Sequence, residues 1–335
     1  MDKNQKIRYI VKTKLFAHLE TWRLYTVTWC GLASINGSLI AFNSNGSLPS
    51  LKIALLALFI PMMGWIAGLY LSDYLDRDLD AIQKTHRPIP SGRIKPNEAL
   101  IVGGIFAISG FVLSFLLSFY NIILVFIVAA LVFLYAKISK SRGIVGNLNR
   151  GFVTVIAYFF GIFSANQPIQ HIPLYIWLLS VIFLLHDTNS NLVGAIRDIE
   201  GDKAGGYLTI PVKYGIKKSV FISLFLTITW FSIAVFIPYY YGFLKDVFYY
   251  IMFLDFLILL FFYIFLFRSL KDYSRKKGLK FHEFFVIERT TLACAFIFGI
   301  LNFYLALIIY LVVILITGGS QYLLRKRYEF QGQSK

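Results

Sequence analysis

Long apolar runs separated by short polar segments dominate the chain. They fall near residues 24–43, 52–71, 98–118, 120–136, 145–165, 172–193, 218–239, 247–267 and 287–317. Each is close to or above the roughly 20 apolar residues that carry a helix across the hydrocarbon core of a bilayer. A segment in lipid must satisfy its own backbone, so runs of this length and polarity predict helices and leave no need for strands. The pattern therefore predicts an all-α polytopic membrane bundle of nine transmembrane helices. The last run admits a second reading, a tight hairpin around Gly299 and Asn302 that would make ten spans. The domain reading is a polar segment over 1–23, one membrane-embedded domain over 24–318 and a polar tail over 319–335. Residues 1–22 are basic and polar, without the short apolar core of a removable signal peptide.

Charge alternates from loop to loop. The N-terminus and the segments 72–97, 137–150, 194–217 and 268–289 hold 27 of the 33 Lys and Arg residues, counting Lys218. The loops between them hold Lys52 and Lys245 alone. An excess of Lys and Arg marks the cytoplasmic side, which predicts a multi-pass protein, of the cell membrane, with its basic loops inside. Composition agrees: 58% of residues are hydrophobic and 15% charged, against about 25% charged in an ordinary soluble domain. The net charge of +16 belongs to those loops and does not predict a nucleic-acid partner. Cys30 and Cys294 both lie in apolar runs and read as small buried hydrophobes.

Acidic residues concentrate in two basic-side segments. The first reads Ser72-Asp73-Tyr74-Leu75-Asp76-Arg77-Asp78-Leu79-Asp80, and Asp73, Asp76 and Asp80 share one face of a continuous helix. The second reads Arg197-Asp198-Ile199-Glu200-Gly201-Asp202, with Asp198 and Asp202 four apart; Asn191 and Asp187 extend that face into the span. Like charges so placed repel unless a cation joins them. Mg²⁺ suits this role, because it is held by one or two carboxylates while substrate phosphates and water complete its shell. Two Asp-rich helix ends facing one another would grip a diphosphate through Mg²⁺. Lys84, Arg87 and Arg197 beside the windows, Lys140 in the next basic loop and Arg23 at the start of the first span are candidates to clamp its outer oxygens. His186 and Asp187 read either as a polar pair facing a cavity or as a satisfied core pair.

The stretch SDYLDRDLDAIQKTHRPIPSGRI, residues 72–94, resembles the first signature of the UbiA superfamily of intramembrane prenyltransferases. RDIEGDKAGGYLTIPVKYG, residues 197–215, resembles the second, and YAKISKSRGIVGN, residues 135–147, a looser third. The wording is closest to the branch of digeranylgeranylglyceryl phosphate synthases, chlorophyll synthases and homogentisate prenyltransferases. The resemblance implies a nine-helix bundle around a central cavity open to the cytoplasm and to lipid. It implies Mg²⁺ and diphosphate binding by Ser72, Asp73, Asp76, Asp80, Asp198 and Asp202, with Asp76, Asp80, Asp198 and Asp202 central to catalysis and Lys140 contacting the diphosphate. Asp187 and Asn191 fall where an acceptor or the cavity would lie. Ser72 stands where the family usually has Asn, and Gly194-Ala195 where many members are polar.

The expected reaction is Mg²⁺-dependent transfer of a prenyl group from a prenyl diphosphate to an aromatic or lipid-like acceptor in the membrane. Trp22, Tyr25, Trp29, Trp65 and Tyr70 are candidates to face the allylic cation. A membrane terpene cyclase with the same ionisation and no acceptor is the second reading. An ion-coupled transporter is the third, disfavoured because carriers place their sites at the bilayer midplane.

Overall fold

The computed structural model describes residues 3–329, and those residues form helices and connecting turns with no strand. In chain order the helices are α1 (Lys3–Trp22), α2 (Leu24–Asn43), α3 (Leu51–Leu75), α4 (Arg77–Gln83), α5 (Pro96–Ser114), α6 (Phe119–Leu134), α7 (Ile144–Phe163), α8 (Leu174–Arg197), α9 (Ile199–Ala204), α10 (Ile210–Tyr241), α11 (Val247–Arg268), α12 (Arg275–Ile300), α13 (Phe303–Ser320) and α14 (Lys326–Glu329). Seven are long and apolar enough to cross a membrane: α3, α5, α6, α8, α10, α11 and α13. The chain is an integral membrane protein.

Three further helices of similar length, α2, α7 and α12, are more polar because they are inner helices. Fifteen of the 20 residues of α2 are buried, and α12 buries Glu288, Arg289, Thr290 and Thr291 within its span. The outer helices present Ile101, Ile105, Phe126, Phe225 and Phe253 outward, a surface that only lipid can cover. Two glycines bring α2 against α7. A Cβ on Gly37 would lie 2.1 Å from the carbonyl oxygen of Tyr158, and one on Gly161 would lie 1.7 Å from that of Ser34.

The nine-span count gives way at residues 287–317. Leu301 and Asn302 are extended, and the Asn302 side chain accepts from the backbone of Tyr304 to start α13. α12 and α13 are therefore antiparallel neighbours, the hairpin reading. Lys245 secures the turn by donating to the carbonyls of Ile300 and Leu301 at 2.7 and 2.9 Å. A cation at a helix C-terminus meets both the orphan carbonyls and the negative end of the dipole.

Both flanking segments also differ from the sequence reading. α1 lies against α3, held by Lys14 to Glu98 at 3.1 Å and by Arg93 to the buried Glu20 at 2.7 Å. The proposed tail from 319 continues as helix to Glu329, with Tyr328 and Glu329 buried; residues 330–335 lie outside the described residues.

Candidate active site

Two long helices break at an aspartate. α3 ends at Asp76, from which α4 starts in a new direction, and α8 ends at Asp198, from which α9 starts. The backbone amide of Asp76 still bonds to Ser72, and that of Asp80 to Asp76, at 2.9 and 2.8 Å. The amide of Asp202 bonds to the carbonyl of Asp198 at 2.9 Å in the same way. The sequence reading placed each cluster on one continuous helix face. Asp80 and Asp202 lie in the short helices beyond these joints and line a single cavity with Asp76 and Asp198.

That cavity has a volume of about 650 Å³, within the usual range for a small-molecule site. Its wall includes Ser72, Asp73, Asp76, Asp80, Asp198 and Asp202 together with Arg23, Lys84, Arg87, Lys140 and Arg197. Every predicted metal and diphosphate residue thus meets in one place. Asn191 also lines it, donating to the Tyr135 hydroxyl at 3.1 Å. Asp187 does not. It lies one turn deeper, fully buried, accepting from Thr154 at 2.9 Å with Arg150 at 3.7 Å. His186 turns away from Asp187 to Glu288 at 2.9 Å and packs against Trp29, so this pair of neighbours is not a cavity dyad.

Asp73, Asp76, Asp80 and Asp198 each already have a cation. Lys140 reaches Asp76, Arg87 bonds to Asp80 at 2.7 Å with Lys84 at 4.0 Å, and Arg23 and the Tyr328 hydroxyl both engage Asp73. Arg197 grips Asp198, and Arg275 stands 3.6 Å from it. Burial acts to raise the Asp198 carboxyl, but Arg197, Lys84 and Arg275 outweigh it and hold the group below the usual range. Asp202 lacks such a partner: burial, then the charge of Asp198, push it up to about 6. Burial and the neighbouring Arg87 lower the Lys84 ammonium.

The donor set suits a hard cation, since it is carboxylate oxygen with one hydroxyl. Among the described residues no three Asp, Glu, His or Cys side chains converge as a ready-made metal cage. Mg²⁺ seldom has one, because it takes one or two carboxylates and fills its shell with phosphate and water. The residues therefore fit Mg²⁺ entering with a diphosphate.

A second cavity of about 360 Å³ lies between α3, α5, α6 and α7, and no charged side chain lines it. It shares Trp65, Gly68, Val132 and Val153 with the first. Of the aromatic candidates, Tyr25 and Trp65 reach the charged cavity and Tyr70 the apolar one, while Trp22 and Trp29 line neither. The Trp65 face is not open, since the Arg150 guanidinium sits 4.0 Å from its ring.

A sequence model of the UbiA prenyltransferase family matches residues 25–287. The chain belongs to the UbiA prenyltransferase family. A digeranylgeranylglyceryl phosphate synthase of Sulfurisphaera tokodaii is 29% identical over 249 residues, covering 73% of this chain and 86% of that protein. A solved structure concerning digeranylgeranylglyceryl phosphate synthase in membranes superposes with a TM-score of 0.63 at 28% identity, over 85% of this chain and 98% of the other. A UbiA homolog from Archaeoglobus fulgidus, solved with DMAPP and Mg²⁺, has the same fold with a TM-score of 0.57 at 15% identity, over 82% and 99% of the two chains.

The charged cavity has wall residues that the sequence reading missed. Arg150, Arg275, His282, Arg289 and Glu329 all line the charged cavity. Arg150 and Arg289 had a signal: each is a basic residue within an otherwise apolar run, and charges at membrane depth point to function. Both were read as topology determinants. Glu329 had no signal, because nothing local shows that the chain returns to the site.

Proposed function

We propose that this chain transfers a prenyl group from a prenyl diphosphate to a lipid-like acceptor carrying an anionic head, with Mg²⁺ as cofactor, on the cytoplasmic side of the cell membrane. One observation carries the reading: a cavity walled by carboxylates, Arg and Lys adjoins one lined by no charged residue among those described, the two sharing four wall residues. A single ligand with a polyanionic head and a long apolar tail fits both.

Mg²⁺ would be held by Asp76, Asp80, Asp198 and Asp202 with the Ser72 hydroxyl, and when bound it would neutralise charge developing on the departing diphosphate. Asp73 has both oxygens engaged, so its role is to hold Arg23. Lys140, Arg87 and Lys84 stand beside the carboxylates they now pair with, and from there they reach the outer phosphate oxygens. The scissile allylic carbon lies at the junction of the cavities, near Val132 and Gly68. Its C–O bond breaks, the acceptor's oxygen or carbon forms the new bond, and the acceptor gives up a proton. The apolar walls keep water from the cation.

Arg150, Arg289 and His282 support an anionic acceptor head. Arg325 lies 2.6 Å from Nδ1 of His282. A guanidinium only donates, so Nδ1 accepts and Nε2 carries the proton, near Gly194 in the cavity wall. The glyceryl phosphate in the names of the relatives is an acceptor of this chemistry. The basic loops on the side of the carboxylates support a cytoplasmic site. Mass spectrometry of products from the purified protein with Mg²⁺, a series of prenyl diphosphates and an acceptor panel tests the reading. A prenylated glycerol phosphate lipid is expected. A cyclic hydrocarbon or alcohol from the donor alone would replace transfer with cyclisation.

A further inference from the structure

The last described turn of the chain enters the charged cavity from a direction that neither acidic window predicts. Glu329 presents its carboxylate to Arg197 at 3.2 Å and to Arg275 at 3.1 Å, and its backbone oxygen accepts from Arg275 at 3.1 Å. The backbone oxygen of Tyr328 accepts from Nε2 of His86 at 3.0 Å. Held this way, the Tyr328 side chain is buried and cannot swing away. Its hydroxyl donates to both oxygens of Asp73, at 3.0 and 3.1 Å, and it also meets Arg23. The guanidiniums of Arg23 and Arg87 both lie against its ring, at 4.1 and 4.4 Å from the centroid.

Two guanidiniums this close repel, and each would drift toward solvent unless something between them attracts both. The quadrupole of one ring does that, and Asp73 and Asp80 anchor one guanidinium each from the other side. Arg23 and Arg87 each keep a buried Nε–H with no acceptor among the described residues. A buried unpaired donor is costly, and a phosphate oxygen would satisfy it. Arg23 is further constrained by a left-handed backbone at φ 46°, ψ 57°, uncommon for a residue with a side chain and found where surroundings over-determine it.

We propose, resting on the prenyl diphosphate reading above, that Tyr328 is a positioning residue of the diphosphate clamp. It holds Arg23 and Arg87 in place for the outer phosphate oxygens, and Glu329 pins the turn that carries it. The turn over Tyr328 and Glu329 thereby joins residues of α3, α4, α8 and α12 at one site.

The test uses the full chain in detergent with Tyr328→Phe and Tyr328→Leu. Calorimetry gives the Kd for pyrophosphate with Mg²⁺, and turnover gives KM and kcat for a prenyl diphosphate. Tyr328→Phe keeps the ring and loses the hydroxyl, so Kd and KM rise about fivefold, the order of one hydrogen bond. Tyr328→Leu loses the ring as well, and both rise tenfold or more while kcat at saturating donor stays within about threefold, the signature of lost ground-state binding. An unchanged Kd in Tyr328→Phe overturns the proposal. So does a lower Kd in Tyr328→Leu, which would make the turn an obstruction. The pyrophosphate Kd reads the clamp without turnover, so a wild-type protein that binds pyrophosphate through Tyr328 yet forms no prenylated product would sink the transferase reading alone.

Discussion

Asp76 and Asp198 each stand at the joint between a long helix and a short one, and each is paired with a basic residue across the cavity or beside it. On the proposed reading either substitution removes a metal ligand; Asp76→Ala also leaves Lys140 without its carboxylate, whereas Arg197 keeps Glu329. Asp76→Ala and Asp198→Ala should each lower kcat by about 10²-fold or more, the scale on which a lost electrostatic group acts. Gel filtration in detergent should still show a folded monodisperse protein; near-normal turnover in either would contradict the assignment. Asp202 titrates within reach of experiment. Its folded-state carboxyl is raised to about 6, above the usual value near 3.9, so the metal-free fold binds this proton more tightly than the unfolded chain does. Stability of the metal-free protein therefore declines as pH rises through that window, and Mg²⁺, which needs the carboxylate, offsets the loss. Mg²⁺–pyrophosphate affinity should weaken as pH falls from 7.5 to 5.5, and Asp202→Asn should flatten that dependence. The acidic residues were legible in the sequence because their spacing and side agree in two windows. Arg150 and Arg289 showed only as charges at the edge of apolar runs, which local pattern does not separate from topology charges, and Glu329 showed not at all, since nothing near it in sequence places it at the site.

Helices are where the packing constraints act. α2 and α7 approach so closely at Gly37 and Gly161 that an added methyl would overlap backbone oxygen. Gly161→Ala must push the two helices apart, and overpacking of this kind costs typically about 1–3 kcal/mol. A fall in the detergent thermal midpoint should show it, and a midpoint equal to wild type would mean that the contact is looser than drawn. Gly64 differs. It lines the apolar cavity, and a Cβ there would meet nothing within 4 Å. Gly64→Phe should fold normally and fill space that a prenyl tail needs. Donor preference should then shift to shorter prenyl diphosphates, read as KM across a chain-length series; an unaltered preference would place the tail elsewhere. Element existence was legible from apolar runs. The breaks at Asp76 and Asp198 were not, because a short break costs little hydropathy, and the one at Leu301 showed only as the alternative hairpin around Gly299 and Asn302.

The whole molecule sets the sides. With α12 and α13 as a hairpin, the chain brings residue 329 back to the end where the carboxylates lie. Cysteines placed at Ser91 and Lys277, on a background with Cys30 and Cys294 changed to Ala, should both be labelled from the cytoplasmic side in vesicles. Cysteines at Asn45 and Asp246 should be labelled from the opposite side. Labelling of Ser91 and Lys277 from different sides would break the topology.

Apolar run length was enough to establish a helical membrane protein, because transfer into lipid is a property of each segment taken alone. Two spaced acidic windows were enough to point at diphosphate chemistry, because carboxylates crowd together only where a cation joins them. Long-range closure settled everything else. It decided that two aspartates sit at helix breaks, that Asp187 lies behind Arg150, and that Tyr328 meets Asp73. Such contacts join residues far apart in the chain, and their energies depend on packing geometry that no local pattern encodes.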